Sequence, residues 1–180
     1  MAVSPIIESA RLRIEPFAEC HLSERYVGWL NDQQVVRYSE QRFRDHTLES
    51  CRTYWQSFAD TPNYFWAIIA KDEALGHIGN LNAYVDLRHE VADLGILIGE
   101  RGAWRRGYGL EAWRAACAYL FQNGIARKIT AGCLANNVPM SRIMNRAGMV
   151  PDGVRTGHCL FEGRPVDVCH AALFIEHWRP

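Results

Sequence analysis

The sequence predicts a mixed α/β domain in which about seven mostly antiparallel strands form a sheet with helices on both faces. Two stretches near the N-terminus place apolar residues at helical spacing, and three apolar runs of strand length follow them. Beyond these runs, helical and strand patterns alternate, and the chain ends with two strands. No internal repeat, low-complexity tract or linker interrupts the 180 residues, so we expect one domain over residues 1–180.

The first half of the chain predicts one strand, two helices and an antiparallel meander. Arg11 to Glu15 alternates in polarity and stops at Pro16, which cannot donate a ladder hydrogen bond. Thr47 suits the N-cap of the second helix, because its hydroxyl can accept a hydrogen bond from the first turn. The apolar stripe of the first helix is Leu22, Tyr26, Trp29 and Leu30, and that of the second is Cys51, Tyr54, Trp55 and Phe58. The three predicted strands of the meander are Tyr64 to Ala70, Gly76 to Tyr84 and Val91 to Ile98.

The second half predicts two helices that each end at a glycine. Gly124 and Gly148 follow apolar helical stripes, and glycine readily takes the left-handed conformation that closes a helix. The remaining predicted elements are a helix from about Gly107 to Asn123, a strand from Lys128 to Leu134, a helix from about Val138 to Ala147, and strands over roughly Gly153–Phe161 and Val166–Ile175.

Charge and cysteine usage favour a cytoplasmic protein. Lys plus Arg and Asp plus Glu both number 20, so the formal net charge is zero, which argues against non-specific binding to nucleic acid or an anionic membrane. No apolar run approaches the ~20 residues that cross a bilayer, and charges interrupt the N-terminus where a secretion signal needs an apolar core. The six cysteines include no C-x-x-C pair, which is typical of reduced thiols.

One group of metal-ligand residue types occurs near the C-terminus. His158-Cys159 and Cys169-His170 flank a predicted turn. Neighbouring residues of a strand point to opposite faces, so at most two of these four side chains share a face. A closed zinc site needs four ligands, and we therefore expect no metal site.

A glycine-rich loop joins the third meander strand to the following helix. Gly102, Gly107 and Gly109 lie in this loop, with Arg105 and Arg106 beside them. Glycine lets backbone N–H groups approach an anion, and a helix N-terminus adds free N–H groups and a positive dipole end. The loop lacks both the Lys-Ser/Thr of a P-loop and the G-x-G-x-x-G spacing of a dinucleotide fold. Two interpretations stay open: a cradle for phosphate or pyrophosphate, or a glycine-rich turn beside two solvated arginines.

Several sequence blocks, in a shared order, resemble one known family. Gly107-Tyr108-Gly109, at the strand-to-helix junction, is similar to the pyrophosphate motif Arg/Gln-x-x-Gly-x-Gly/Ala of the GCN5-related N-acetyltransferases (GNAT family). The segment from Asn137 to Met149 resembles the family's Asn…Ser…Gly-Phe block. Three further segments resemble the branch that acetylates ribosomal-protein N-termini or the amino sugars of nucleotide sugars; these are Leu12–Pro16, Trp29–Arg37 and Phe161–Asp167. The resemblance spans nearly the whole chain.

The resemblance implies the GNAT fold and an N-acetyltransferase that uses acetyl-CoA as cosubstrate, without a metal. In the family, a backbone N–H of the strand before the pyrophosphate loop stabilises the oxyanion. The resemblance also gives Asn137 a role in holding the pantetheine arm, and an N-cap is its alternative role. The expected donor-binding residues are Ile96, Leu97, Ile98, Arg105, Arg106, Gly107, Tyr108, Gly109, Leu110 and Asn137.

Catalysis requires a proton acceptor, because a primary amine is mostly protonated at neutral pH. Glu90 and Asp93, at the start of the strand before the loop, are the predicted base or water-relay carboxylates, and ordinary surface charges are their alternative. Ser141 resembles a serine that the ribosomal-protein branch places near the thiol; its alternative is a first-turn helix hydroxyl. The predicted substrate-binding residues lie between two predicted helices, where that branch places its acceptor-facing loop: Arg37, Tyr38 and Glu40.

Two positions depart from the family pattern. Trp104 stands where the pyrophosphate motif has Arg or Gln, and Met144 stands where many members carry a Tyr general acid. We expect the acceptor to be a small-molecule amine, such as the amino sugar of a nucleotide sugar, because a chain of zero net charge suits basic ribosomal proteins less well. A protein N-terminus is the close alternative. A non-catalytic acyl-CoA-binding module also stays open, since a fold does not guarantee activity, and so does a homodimer.

Overall fold

The computed structural model describes residues 6–179, which form one eight-stranded sheet and four α-helices. The strands are β1 Ile7–Glu8, β2 Leu12–Pro16, β3 Tyr64–Ala70, β4 His77–Asp86, β5 Val91–Ile98, β6 Lys128–Leu134, β7 Val150–Phe161 and β8 Arg164–Phe174. The helices are α1 Glu24–Asn31, α2 Leu48–Gln56, α3 Tyr108–Gln122 and α4 Val138–Arg146. Short 3₁₀ helices occupy Glu19–His21, Glu40–Phe43, Arg101–Ala103 and Ile175–His177.

The sheet splits in its middle. Its strand order is β1-β2-β3-β4-β5-β6-β8-β7, and all neighbours are antiparallel except β5 and β6. This parallel pairing is short, because only Val91–Asp93 pair with Lys128–Thr130, whereas β6 stays paired with β8 as far as Leu134. A cleft therefore opens between β5 and β6 beyond Asp93, and we call it the splay.

The two faces of the sheet carry separate apolar cores. On β3, Trp66 and Ile68 belong to the larger core, which packs against α3 and α4. The alternate residues Phe65 and Ala67 belong to the smaller core, which packs against α1 and α2. This division follows from the period of two along a strand. Because complete burial of a large apolar side chain contributes about 1.5–3 kcal/mol, the two cores hold the helices firmly on either side of the splay.

The predicted fold class is confirmed, with one more strand than expected. The additional strand, β1, has only two residues, so it shows no periodicity, and its pairing partner Ile14 lies seven positions beyond Ile7. The final hairpin also begins earlier than predicted, at Val150 rather than Gly153. Gly153 has φ +132° and lies at a register shift, so the glycine marks an irregularity inside the strand and not its start.

Two further features of residues 6–179 concern membrane spans and metal ligands. Within this range, no helix combines the length and apolar character that a membrane crossing requires. The same residues contain no group of three or more His, Cys, Asp or Glu side chains arranged to hold a metal ion. In the hairpin, Cys159 pairs with Val166 and Cys169 pairs with Val154, so the two cysteines do not lie opposite one another.

Candidate active site

The splay exposes the backbone edge of β5. Gly99 N donates to Ile78 O of β4 at 3.0 Å, so this residue points its polar groups toward β4. The preceding carbonyl, Ile98 O, instead accepts a hydrogen bond from the Trp104 indole N–H at 2.8 Å. Backbone polar groups alternate in direction along a strand, so Ile96 and Ile98 direct theirs toward the splay. Near Ile98, at the open end of the splay, β5 therefore has backbone N–H and C=O groups that form no hydrogen bond with β6.

The N-terminus of α3 closes the same end of the splay and lacks a side-chain cap. Its N-cap is Gly107, with φ +84°, whereas Ser23, Thr47 and Asn137 cap the other three helices with side-chain oxygens. The first N–H bonded within the helix is that of Glu111, which donates to Gly107 O. The preceding N–H groups have no helical partner and are available to an anion, together with the positive end of the helix dipole.

The two glycines of the loop serve different purposes. Gly107 takes a left-handed conformation that β-branched residues rarely adopt. Gly109 allows close packing, because a Cβ there would lie 3.1 Å from Ile143 Cδ1 of α4 and 3.6 Å from Ile98 Cγ1 of β5. The N-terminus of α3 therefore lies directly against the strand and helix that border the splay.

Both loop arginines lie at this helix N-terminus. Arg105 has φ +61° and no ion-pair partner in the described part of the chain. Arg106 lies 3.5 Å from Asp72 and packs over the Tyr108 ring. The Tyr108 side chain is buried, so its backbone N–H, and not its hydroxyl, is what this residue offers to a ligand.

Sequence reasoning missed a third arginine at this site. Arg11 Nη1 donates to Arg106 O at 2.9 Å, its guanidinium lies over the Tyr108 ring, and it forms a 2.7 Å ion pair with Glu111. Arg11, the residue before β2, therefore holds the loop in place. Trp104, the departure from the family motif, has a comparable role through its bond to Ile98 O.

The second predicted block forms the turn into α4. The Asn137 side-chain oxygen accepts a hydrogen bond from Met140 N at 3.2 Å, so the N-cap alternative is present in the structure. This bond leaves the Asn137 amide NH₂ group free to donate to a ligand. Ser141 is half-buried one helical turn later, and Met144 is buried in the larger core. A methionine at this position thus fills core volume and supplies no acid.

The two predicted carboxylates lie in different places. Asp93 is at the closed end of the splay, where Thr130 Oγ1 donates to its Oδ2 at 2.7 Å, and its side chain lines a depression of about 340 Å³. Glu90 lies in the β4–β5 turn with φ +53°, and its carbonyl accepts from Arg127 N at 2.8 Å. The two residues are three positions apart, about 10 Å along the chain. Only Asp93 borders the splay.

Two of the three predicted acceptor-facing residues, Arg37 and Tyr38, contact the turn between β7 and β8. Arg37 makes a 2.9 Å ion pair with Glu162, and the Tyr38 ring stacks on Phe161 with centroids 5.5 Å apart. Glu40 lies 3.4 Å from Arg42, a weaker surface pair. The connection after α1 therefore contacts the β7–β8 turn through Arg37 and Tyr38.

Ion pairs hold the segment between β5 and α3 against α1. Arg25 donates to Glu100, and this hydrogen bond is the main reason that the pKa of Glu100 lies below its ordinary value. Arg101 makes a similar contact with Asp32 at the end of α1. The Trp29 ring of α1 lies on Gly99, where a Cβ would come within 2.1 Å of the ring. These contacts join the smaller core to the glycine-rich loop.

The chain matches one family model and no curated protein. A model described as an acetyltransferase (GNAT) domain matches residues 11–150. No curated protein has a sequence that matches this chain significantly.

Solved structures of acetyltransferases share this fold. A GNAT-family acetyltransferase from Bacillus anthracis is 21% identical over 96% of this chain and 100% of its own, with a TM-score of 0.81. The ribosomal-protein α-N-acetyltransferase RimL, in complex with coenzyme A, is 16% identical over 96% and 99%, with a TM-score of 0.84. Spermidine N-acetyltransferase from Vibrio cholerae, in complex with CoA and spermine, is 15% identical over 93% and 98%, with a TM-score of 0.81. At these identities the likeness shows the fold.

Proposed function

The chain belongs to the GNAT family of acetyltransferases, whose model spans residues 11–150, and we propose that it transfers an acetyl group from acetyl-CoA to a primary amine. One observation carries the proposal: the splay between β5 and β6 ends at the uncapped N-terminus of α3. Free N–H groups there suit a pyrophosphate, and the exposed edge of β5 suits the arm that follows it. The donor-binding residues we propose are those from Ile96 to Ile98, Arg105 to Leu110, and Asn137.

We propose direct attack in a ternary complex. The amine nitrogen attacks the thioester carbon, the C–N bond forms, the C–S bond breaks, and CoA leaves as the thiolate. Aligning the two reactants contributes up to ~7–11 kcal/mol, and a backbone N–H group of Ile96 or Ile98, the two residues whose polar groups face the splay, stabilises the oxyanion. Asp93, at the border of the splay, takes the proton that the amine loses, directly or through water. The thiolate is a good leaving group, because its thiol has a pKa of ~8.5, so the reaction depends little on an acid.

The proposed acceptor is a small molecule, such as the amino sugar of a nucleotide sugar. Arg37 and Tyr38, which contact Glu162 and Phe161, lie on the side from which we propose that the acceptor enters, and a guanidinium there suits a substrate that carries a phosphate. A panel of D-glucosamine, a UDP-linked amino sugar, spermidine and an alanine-terminated peptide tests this choice by thiol release from acetyl-CoA. If the peptide were the only amine that caused rapid thiol release, the proposed acceptor would be a protein N-terminus and not a small molecule. Tight CoA binding without release from any amine would favour a non-catalytic module.

Donor binding is expected to stabilise the folded protein by mass action. Acetyl-CoA at one hundred times its dissociation constant should add ~2.7 kcal/mol to the free energy of unfolding. A thermal-shift series should rank acetyl-CoA and CoA above ATP and NAD at equal concentration. A larger shift with NAD would assign the loop to a dinucleotide instead.

Substitutions at α4 should separate proton delivery from donor binding. Ser141→Ala should lower kcat by less than ~10-fold, because the thiolate leaves readily without an acid. Asn137→Ala should raise the KM for acetyl-CoA more than it lowers kcat, since it removes a polar contact to the bound arm. Steady-state kinetics at varied acetyl-CoA measures both effects.

The Asn137 variant also loses an N-cap, which costs about 1 kcal/mol of stability. Ser23→Ala is the matched control, because Ser23 caps α1 through Tyr26 N and is not one of the proposed donor-binding residues. This control should lose similar stability with an unchanged KM for acetyl-CoA. Equal KM values in the Asn137→Ala variant and the wild type would restrict Asn137 to capping.

A further inference from the structure

The depression beside Asp93 lies on the face of the sheet that carries the smaller core. Tyr84 pairs with Asp93 across β4 and β5. Asp86, two residues beyond Tyr84, pairs with Val91 and lies on the same face. The Tyr84 ring stacks on Phe58, which packs against the smaller core, with centroids 5.7 Å apart. The volume of the depression, about 340 Å³, is at the lower end of the range for small-molecule sites, so it suits a single ring.

Two polar side chains that line the depression are held by backbone N–H groups. Asn63 Oδ1 accepts a hydrogen bond from Val85 N at 2.8 Å, which leaves the Asn63 NH₂ group to donate. Asp86 Oδ1 accepts from Arg88 N at 3.0 Å and from His89 N at 3.1 Å, which leaves Asp86 Oδ2 to accept. The depression therefore presents one oriented donor group and one oriented acceptor, in addition to the proposed base.

Asp86 and Asp93 lie close enough for one small acceptor to contact both. They are diagonal neighbours across an antiparallel strand pair, which places their Cα atoms about 7–8 Å apart. The Asp86 carboxylate is stabilised by two backbone N–H groups, and Asp93 faces the charge of the reacting amine, so the depression requires no second cation. Tyr84 is 45% exposed and presents apolar ring surface beside both carboxylates.

We propose that Asn63 and Asp86 bind hydroxyl groups of an amino sugar whose amine lies at Asp93, an assignment that rests on the proposed acetyl transfer. A hydroxyl group both donates and accepts, so a sugar hydroxyl donates to Asp86 Oδ2 and accepts from Asn63 Nδ2. The C–H groups of the sugar ring pack against Tyr84. The depression thus selects a cyclic amine that carries hydroxyl groups over an alkyl amine or a polyamine chain.

Asp86→Asn tests the assignment with D-glucosamine and cyclohexylamine, compared at equal concentrations of the neutral amine. The variant keeps the oxygen that holds the turn and replaces the free acceptor by an NH₂ group. We expect kcat/KM for D-glucosamine to fall about 10–100-fold, as for the loss of a hydrogen bond to a charged group. Cyclohexylamine has no hydroxyl group, so its kcat/KM should not change, and neither should the affinity for acetyl-CoA. Asp60→Asn is the matched control with wild-type kinetics, because Asp60 is an exposed turn residue that does not line the depression.

Exchanging the two side chains gives a measurement that a merely structural role would not change. Asn63→Asp keeps an oxygen for Val85 N and loses the donor, so kcat/KM for D-glucosamine should fall by a similar factor. The double variant Asn63→Asp/Asp86→Asn again has one donor and one acceptor, in exchanged positions. Because a hydroxyl group can bind either arrangement, kcat/KM of the double variant should exceed that of each single variant by about fivefold or more.

Three results would overturn the assignment in protein that circular dichroism shows to be folded. The first is wild-type kinetics with D-glucosamine in Asp86→Asn, and the second is an equal loss with D-glucosamine and cyclohexylamine. The third is a higher kcat/KM for spermidine in Asn63→Asp without a loss for D-glucosamine, since an added carboxylate favours a second ammonium group. Absence of acetyl transfer to every amine in the wild type would overturn the proposed function itself, which is a different result.

Discussion

Gly107→Val should abolish tight binding of acetyl-CoA and leave the fold intact. The proposed pyrophosphate site consists of backbone N–H groups at the start of α3, and Gly107 is the N-cap through which the chain enters that helix. A branched side chain there extends toward the Arg11 guanidinium, which lies 3.4 Å from the Cβ position, and it pushes the backbone out of its left-handed conformation, so the N–H groups no longer converge on an anion. Loss of two charge-assisted hydrogen bonds, at about 1.5–3 kcal/mol each, predicts an affinity about a thousandfold lower. Titration calorimetry with CoA measures it directly.

Gly124→Val is the matched control for this substitution. Gly124 follows the other end of the same helix with φ +63°, and a Cβ there has no neighbour within 4 Å. Both variants therefore carry a similar backbone strain and a similar loss of stability, but only one lies near the proposed phosphate. Unchanged CoA affinity in the folded Gly107→Val protein would show that this loop does not bind the pyrophosphate. Equal losses in both variants would point to general strain in α3.

The strands and the loop that border the splay could be predicted because their signals are local. The observed bounds of β3, β5 and β6 coincide with the predicted ones, since each is a mainly apolar run of strand length. The Gly107 turn was likewise visible, because glycine marks the left-handed residue before the helix. These features depend on neighbours in sequence, which is the range over which periodicity and propensity act.

The remaining features depend on contacts between distant positions. The splay begins after the Asp93–Thr130 pair, and nothing about these two residue types predicts that the β5–β6 pairing ends there. The Arg11–Glu111 ion pair joins residues one hundred positions apart. Gly132 looks like a weak position in a strand until the His170 ring is seen above it. Tertiary packing decides each of these, so the sequence pattern gives no indication of them.

The same distinction applies to the two predicted carboxylates. The sequence did not distinguish Glu90 from Asp93, because both are carboxylates near the start of the strand before the loop. The positive φ of Glu90 assigns it to the turn, where its carbonyl anchors the start of β6. Asp93 alone borders the splay and is held by a hydroxyl of the opposite strand. This position is why Asp93, and not Glu90, is the base that we propose.

Asp93→Asn should lower kcat at neutral pH by about 10²–10⁴-fold, the usual contribution of a general base. The substitution is conservative, because an asparagine oxygen can still accept the hydrogen bond from Thr130, so the splay should keep its shape. Affinity for acetyl-CoA should not change. Circular dichroism and thermal unfolding verify the fold, and a stopped assay of thiol release over a range of pH measures the rate.

The pH dependence identifies the step that is lost. At neutral pH most of the amine is protonated, and without Asp93 its proton must pass to bulk water. As pH rises toward the pKa of the amine, a larger fraction of the acceptor is already neutral, so the rate of Asp93→Asn should rise toward that of the wild type. Glu90→Gln is the matched control, because it makes the same chemical change three residues away, in the turn. If Asp93→Asn kept the pH–rate profile of the wild type and Glu90→Gln lost activity at neutral pH, Glu90 would be the base. If both variants kept the wild-type profile, the amine would lose its proton to water or to another residue.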